Sequence, residues 1–351
     1  MKQTFRELFE TDARLFRAPG RVNLIGEHTD YNDGFVMPAA LGFATWVAGA
    51  LRTDRKLVLH SVDFSERVEF DLDAPAPAAQ QHWSDYPHGV AVMLEQSGYQ
   101  LRGANLLIHG EVPIGAGLSS SAAIEVAVGY ALLALAGQEP QNVADRVELA
   151  KICQRAENEF VGLRCGIMDQ FISCCGRAGH ALLLDCRSLG YRLLPLPKGA
   201  RLVICNSMVK HSLAGGEYNQ RRAECEAGVQ HLRQFLPAVH ALRDVSLTEL
   251  KQYGRDLPEV VYRRCHHVIS ENDRTLNSAE ALERGDFATF GQLMNESHCS
   301  LRDDYEVSCA ELDLLVQLAS SVTGVYGARM TGGGFGGCTI NLVNTDAVAE
   351  F

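Results

Sequence analysis

Pro113-Ile114-Gly115-Ala116-Gly117-Leu118-Ser119-Ser120-Ser121 runs without a break into Ala122–Ala136, AAIEVAVGYALLALA. Two glycines, two residues apart, let the backbone approach a ligand closely. Three serines then stand at the mouth of a segment rich in Ala, Leu and Val, which reads as a mostly buried helix. The first N–H groups of a helix lack intrahelical partners and its dipole favours anions, so this junction resembles a phosphate cradle. Serine hydroxyls placed there can also reach a magnesium ion. A serine N-cap after a glycine turn explains the same residues equally well on shape alone. The lysine of a Walker A loop and the third glycine of GxGxxG are both missing, so neither a P-loop nor a dinucleotide turn fits.

Outward from this junction, strands and helices mix without strict alternation. Thr45–Leu51 and Lys56–Val62 read as strands split by the charged turn Arg52–Arg55. Asp71–Gln81 (DLDAPAPAAQQ) reads as a surface loop, Val90–Gln96 as a helix and Leu106–Gly110 as a short apolar strand. Val143–Phe160 reads as a second long helix. Strands follow at Ala181–Asp185 and Arg201–Asn206, and helical patterns at Tyr218–Phe235 and Leu257–Arg284. The glycine-rich stretch Thr331–Gly337 precedes the strand Cys338–Val343. No internal repeat is present. The pattern is α+β with two domains, 1–185 and 186–351.

The length, 351 residues, suits two domains and a large core. With 46% hydrophobic and 21% charged residues, disordered and fibrous classes are excluded. A net charge of −11 argues against a nucleic-acid binder acting through bulk positive charge, but not against a local ring of N–H groups holding phosphate. The longest weakly polar run, Val36–Leu51, is broken by Pro38, two glycines and Thr45, so no membrane span is expected. Met1–Glu7 lacks the apolar core of a signal peptide. The eleven cysteines show no CxxC pair and sit in apolar runs; they read as reduced thiols of a cytosolic protein rather than a zinc site.

Three further stretches concentrate chemistry. Arg17–Tyr31 (RAPGRVNLIGEHTDY) crowds Arg21, Glu27, His28 and Asp30 around two glycines. Such donors and acceptors suit a polyhydroxylated ligand, although Asn32-Asp33-Gly34 just beyond reads as a hairpin turn. Asp169, within Gly166-Ile167-Met168-Asp169-Gln170, lies among apolar residues, so half-burial and a partner are expected, with Arg21 the candidate; a helix-capping aspartate is at least as good a reading. Glu157, twelve residues earlier, reads by default as an exposed salt-bridging residue. Five glycines in the six residues Gly332–Gly337 suggest backbone lying against a ligand.

Together, GRVNLIGEHTDYNDG (Gly20–Gly34), PIGAGLSSSAA (Pro113–Ala123), CGIMDQ (Cys165–Gln170) and TGGGFGGC (Thr331–Cys338) resemble the galactokinases of the GHMP family of small-molecule kinases, in the expected order and over nearly the whole chain. The resemblance implies a two-domain GHMP kinase fold with the active site in the interdomain cleft. It also implies ATP-dependent phosphorylation of the anomeric hydroxyl of galactose, the first committed step of galactose catabolism. Asp169 would be the base, and Arg21 would pair with it and offset charge on the transferred group. Glu27, His28, Thr29 and Asp30 would hold the sugar, with Gly166 and Tyr218 lining the pocket. Ile114, Gly115, Ala116, Gly117, Leu118, Ser119 and Ser120 would wrap ATP, and Ser61 and Trp83 would lie near the nucleotide. Ser120 and Glu157 would ligate Mg²⁺. A monomer in the cytoplasm is implied, with no nucleic acid or membrane partner. A further helix and strand are expected beyond Phe351. A GHMP kinase for a related sugar and a non-catalytic galactose/ATP sensor are the alternatives; sensors of this type have a damaged ATP loop, and here Ser119–Ala122 is intact.

Overall fold

The computed structural model describes residues 1–76, 78–196, 198–209 and 214–351; Pro77, within the expected Asp71–Gln81 loop, lies outside the described residues. The chain divides into two interleaved compact units. One comprises Met1–Arg21, Leu41–Pro113 and Ser119–Cys175, the other Val22–Ala40, Ile114–Leu118 and Gly176–Phe351.

The first unit opens with α1 (Lys2–Phe9) and most of β1 (Arg14–Asn23). β2 (Phe35–Val36) belongs to the second unit, and β3 (Pro38–Leu51) begins in the second and continues in the first. β4 (Lys56–Ser61), β5 (Glu66–Asp71) and β6 (Ala104–Gly110) complete the strands here. β6 pairs antiparallel with β3, Val47 opposite Ile108, and parallel with β4, Leu59 opposite Leu106. The helices are α2 (Asp85–Gln96), α3 (Ser120–Leu135), α4 (Val143–Arg155) and α5 (Met168–Cys175). Leu57, Leu59, Leu106 and Ile108 from the strands share one core with Val90, Leu94, Val126, Leu132, Leu149 and Ile152 from the helices. Each such buried side chain contributes about 1.5–3 kcal/mol relative to exposure.

Helix α3 has no polar stripe, and its apolar residues are buried nearly all round. Helix α4 starts with a reciprocal cap between Asn142 and Asp145. It does not continue as one α-helix to Phe160: after Arg155 it widens into a π-helical turn, Ala156–Val161, ended by Gly162 at φ 91°. Such turns are rare and recur at functional sites.

In the second unit β7 (His180–Asp185) lies between β2 and β8 (Tyr191–Pro195), with Val36 opposite Leu184 and Leu182 opposite Leu193. A separate three-stranded sheet has the order β10 (Val325–Thr331), β11 (Cys338–Asn344), β9 (Ala200–Asn206). Its central strand β11 is buried along nearly its whole length, as a strand covered on both faces must be. Helices α6 (Ala214–Leu232), α7 (Leu247–Tyr253), α8 (Glu259–Arg284), α9 (Phe287–Asp303) and α10 (Ala310–Ser320) supply the rest. Leu232, Leu250, Val268, Leu301, Leu312 and Met330 meet in its core.

All eleven cysteines are free thiols. Among the described residues no helix is long and apolar enough to cross a membrane, and no group of three or more His, Cys, Asp or Glu residues could hold a metal.

Candidate active site

Strand β1 delivers Arg21, and every residue from Gly20 to Thr29 is buried, so this stretch is not a surface turn. Arg21 donates from Nε to Asp169 Oδ1 at 2.8 Å and from Nη2 to Oδ2 at 2.9 Å. Both N–H groups of the planar fork are thus used on one carboxylate, the strongest form of such a pair. Asp169 stands in the first turn of α5, where the dipole favours negative charge, and its side chain keeps 25% of its exposure. A third bond comes from Ser119, whose Oγ donates to Asp169 Oδ2 at 2.5 Å. Ser119 is the N-cap residue of α3 but makes no capping bond; it adopts φ 61°, a conformation costing a non-glycine residue about 1–2 kcal/mol. The capping-serine reading of the loop and the capping-aspartate reading of Asp169 both give way to this direct contact.

The next residue, Gln170, turns to two buried acids. Its Nε2 donates to Glu157 Oε2 at 2.6 Å and to Glu125 Oε2 at 2.9 Å. Cys165 Sγ donates to Glu157 at 3.3 Å, and Ser121 is also bonded to it. Glu157 lies on the π-helical turn and is 3% exposed, so the default reading of an exposed salt-bridging residue is overturned. Burial, then repulsion from Asp169, pushes its carboxyl up to about 7. Burial and repulsion from Glu157 hold Glu125 well above the usual carboxylate range. Glu125 Oε1 and Gln170 Oε1 are buried without partners. This is a buried, oxygen-rich cluster.

Between β6 and α3, φ is positive at Gly115, Gly117 and Ser119, that is, at every second residue. Alternating handedness turns successive N–H groups toward one side, the geometry of an anion nest. Ile114 is exposed, while Ala116 and Leu118 are buried and anchor the loop.

The second glycine-rich stretch lies against protein backbone at four of its five glycines. A Cβ on Gly332 would come within 2.6 Å of the Gly117 carbonyl, and one on Gly337 within 2.9 Å of the Ala116 carbonyl. Gly334 and Gly336 are pressed in the same way on Val307 and Val209. At these four glycines the missing Cβ makes room for protein backbone, while Gly333 has the ring of Tyr218 as its neighbour.

Gly332 also holds Glu27. Its N–H donates to Glu27 Oε1 at 2.7 Å, joined by Thr331 Oγ1 at 3.2 Å and the buried Arg329 Nη1 at 3.4 Å. The Glu27 loop is fixed from behind by Glu271 of α8, whose Oε1 accepts from the N–H groups of Gly26 (3.0 Å) and Glu27 (3.4 Å) and from Ser297 Oγ (2.6 Å). Glu271 Oε2 takes Arg274 Nε at 2.7 Å. Burial opposes its charge, but Arg274 and neighbouring cations hold its carboxyl down to about 2. A depressed folded pKa gives stability that is present above about 4.5 and is lost as pH falls through about 2. Glu271→Gln should therefore flatten the pH dependence of unfolding in that window by about 3 kcal/mol, measured by denaturant titration at stepped pH. An unchanged profile would show that Glu271 contributes no linked stability.

Beyond Glu27, Thr29 Oγ1 lies 2.9 Å from the Gly26 carbonyl and 2.7 Å from that of Phe35, which ties the loop together. Asn32-Asp33-Gly34 is no two-residue hairpin: Asp30–Asn32 form a 3₁₀ turn, and the N–H groups of Asn32 and Gly34 both donate to the Thr29 carbonyl. The His28 ring sits 5.4 Å from Tyr218 and 4.7 Å from Tyr305.

This loop falls within residues 3–51, which match the galactokinase galactose-binding signature; residues 85–177 match the GHMP kinase N-terminal domain and 278–351 the C-terminal domain. A galactokinase of Chloroflexus aggregans is 56% identical over 338 residues, 96% of this chain and 86% of that protein. The chain belongs to the galactokinase family. A galactokinase of Roseiflexus is 52% identical over 96% of this chain and 85% of its own length. The crystal structure of Lactococcus lactis galactokinase complexed with galactose superposes with a TM-score of 0.94 at 38% identity, covering 99% of this chain and 90% of that one. Methanococcus jannaschii mevalonate kinase, at 18% identity and a TM-score of 0.68, shares the GHMP kinase fold.

In this galactokinase-family chain the remaining expected residues fall as follows. Gly166 is buried two residues before α5, and Asp30 is half-buried at the start of its 3₁₀ turn. Ser61 Oγ accepts from Phe64 N–H at 3.3 Å, and Trp83 stacks on the same Phe64 ring at 6.0 Å while donating to Glu66 at 2.8 Å. Ser120, half-buried, opens α3. Sequence reasoning missed Glu125, Gln170, Glu271 and Arg329. Only Glu125 carried a local signal, as a lone acid inside an apolar helix.

Proposed function

We propose that this chain transfers the γ-phosphoryl group of ATP to the anomeric hydroxyl of D-galactose, giving galactose 1-phosphate and ADP. The observation that carries this reading is the junction of Arg21, Asp169 and Ser119, with Ser119 closing a nest-shaped loop at the start of α3. A carboxylate held in two N–H bonds, yet partly exposed, suits a base that accepts the proton from the sugar O1. The Arg21 guanidinium would offset charge on the phosphoryl group in flight, and the loop N–H groups would hold the ATP phosphates. Glu27, His28 and Asp30 would hold sugar hydroxyls, with Tyr218 and Gly166 lining the pocket and Thr29 bracing the loop. Ser61 and Trp83 would flank the nucleotide. A general base typically contributes about 10²–10⁴, so positioning and charge neutralisation carry the larger share.

Mg²⁺ fits the residues present. Glu157 is a buried carboxylate acted on mainly by burial and by repulsion from Asp169, and Glu125 Oε1, on the acid that shares Gln170 with it, is unpartnered. Magnesium commonly takes one or two protein oxygens and completes its shell with water and phosphate. Ser120 and Glu157 would hold it, and it would supply positive charge to the phosphate oxygens. Chelation by EDTA should abolish turnover, and excess Mg²⁺ should restore it. Full activity in EDTA would remove the metal from this reading.

The test of the whole reading is coupled ADP release with galactose, glucose and N-acetylgalactosamine. Galactose-dependent release is expected. Release with another sugar alone would favour a different GHMP acceptor, and binding of both ligands without release would favour a sensor.

A further inference from the structure

We infer that Gln170 is a positioning residue: its amide holds Glu157 in the one orientation in which that acid would take Mg²⁺, and Glu125 braces the amide from its other side. The inference rests on the reading above of Glu157 as a metal ligand and deepens it.

The three side chains belong to one compact unit and come from three elements. Glu125 stands on α3, Glu157 on the π-helical turn after α4, and Gln170 on α5, next to Asp169. All three are buried. Gln170 Nε2 lies 2.6 Å from Glu157 Oε2 and 2.9 Å from Glu125 Oε2.

The direction of both bonds is fixed. A carboxylate accepts and an amide nitrogen donates, so both run outward from Gln170. With the amide turned over, its oxygen would face the two acids, and each would have to carry a proton. An NH₂ group has two hydrogens, and here each serves one acid. Glu125 occupies the first, which stops the amide from rotating and keeps the second aimed at Glu157. Glu157 Oε2 also accepts from Cys165 Sγ at 3.3 Å, and Ser121 is bonded to the same carboxylate. The amide bond is the shorter of the two to Oε2.

Fold stability does not account for Glu125. Burial and repulsion from Glu157 both act against its charge, and the bond from Gln170 opposes them. Glu125 Oε1 and Gln170 Oε1 are buried without partners, which also costs stability. A buried acid kept on an apolar helix at this cost is explained by what it does to Gln170. Groups that orient a metal ligand in this way matter to the metal: losing one typically lowers metal affinity or activity by about 10–100-fold. Because Gln170 follows Asp169, one turn of α5 carries both the proposed base and the brace of the proposed metal ligand.

Mn²⁺, which suits the same oxygen ligands as Mg²⁺, tests this in the full-length chain. Free Mn²⁺ is followed by electron paramagnetic resonance as protein and ADP are added without galactose, so no turnover enters. The wild type with ADP should take up more Mn²⁺ than ADP alone. Gln170→Met keeps the length of the side chain and removes both donors. Its Mn²⁺ affinity should fall at least about tenfold, while galactose affinity by calorimetry stays within about twofold. Glu125→Met should weaken Mn²⁺ in the same direction. Glu125→Gln, whose oxygen can still accept from Gln170, should stay within about twofold of the wild type. Unchanged Mn²⁺ affinity in Gln170→Met overturns the proposal. So does an equal loss of Mn²⁺ and galactose affinity in that variant, which would mark a general structural role, and so does a Glu125→Gln that loses as much as Glu125→Met. If Gln170→Met does not fold, the two Glu125 variants decide the same point. If the wild type takes up no more Mn²⁺ than ADP alone, the metal reading fails and the proposal falls with it; if the wild type binds and Gln170→Met is unchanged, the positioning role alone fails.

Discussion

Replacing Asp169 with asparagine should lower kcat by about 10²–10⁴ and leave a folded protein. Asparagine keeps one oxygen that Arg21 Nη2 and Ser119 can share, at the cost of the charge and of the Arg21 Nε bond, and it cannot take a proton from a hydroxyl. Alanine should lose the same turnover and destabilise as well. It strands the Arg21 guanidinium, whose side chain is only 5% exposed, without its counter-charge. Breaking a buried pair from one side costs about 3–5 kcal/mol, and the partial exposure of Asp169 places the loss at the lower end. Turnover numbers and thermal melts on both variants separate chemistry from folding. An asparagine variant with wild-type kcat would end the assignment of Asp169 as base.

Arg21→Lys should reduce kcat/KM by about 10², equivalent to about 2.7 kcal/mol of transition-state stabilisation. Both donors that Arg21 uses on Asp169 belong to one planar fork, and an ammonium on a flexible stem cannot reproduce two parallel bonds. The charge survives the exchange, so a deficit identifies geometry as what matters. On the proposed reading of Asp169 as base, the loss should appear mainly in kcat. Should kcat/KM remain at the wild-type value, Arg21 would be a structural partner of Asp169 and nothing more.

Much of this was legible before coordinates, for identifiable reasons. The strands at Thr45–Leu51 and Lys56–Ser61 and the helix after Ser119 follow from local apolar patterning, and the structure has them close to where the pattern puts them. The contact between Arg21 and Asp169 was anticipated because a half-buried acid among apolar residues needs a cation. Residues with distant partners stayed hidden. Glu271 sits in ISENDR, a polar run that looks solvent-facing, and the N–H groups it serves lie 245 and 244 positions earlier. Arg329 gives VYGARMT a charge in mid-strand, so β10 does not read as a buried strand, although Arg329 is fully buried against Asn23 and Glu27. Nothing local in the serine and glycine runs announces their protein partners, which are distant in sequence. Ser119 turns to Asp169, and Gly332 rests on Gly117.

Gly332 gives its amide hydrogen to Glu27 and rests its α-carbon on Gly117, so one residue is shared by two otherwise separate pieces of machinery. Directed evolution on the proposed sugar site would meet this as a trade-off: a mutation that shifts Gly332 away from Glu27 also moves it against Gly117. Gly333, the next residue, has the Tyr218 ring as its neighbour, so a change there need not move Gly332 off Gly117.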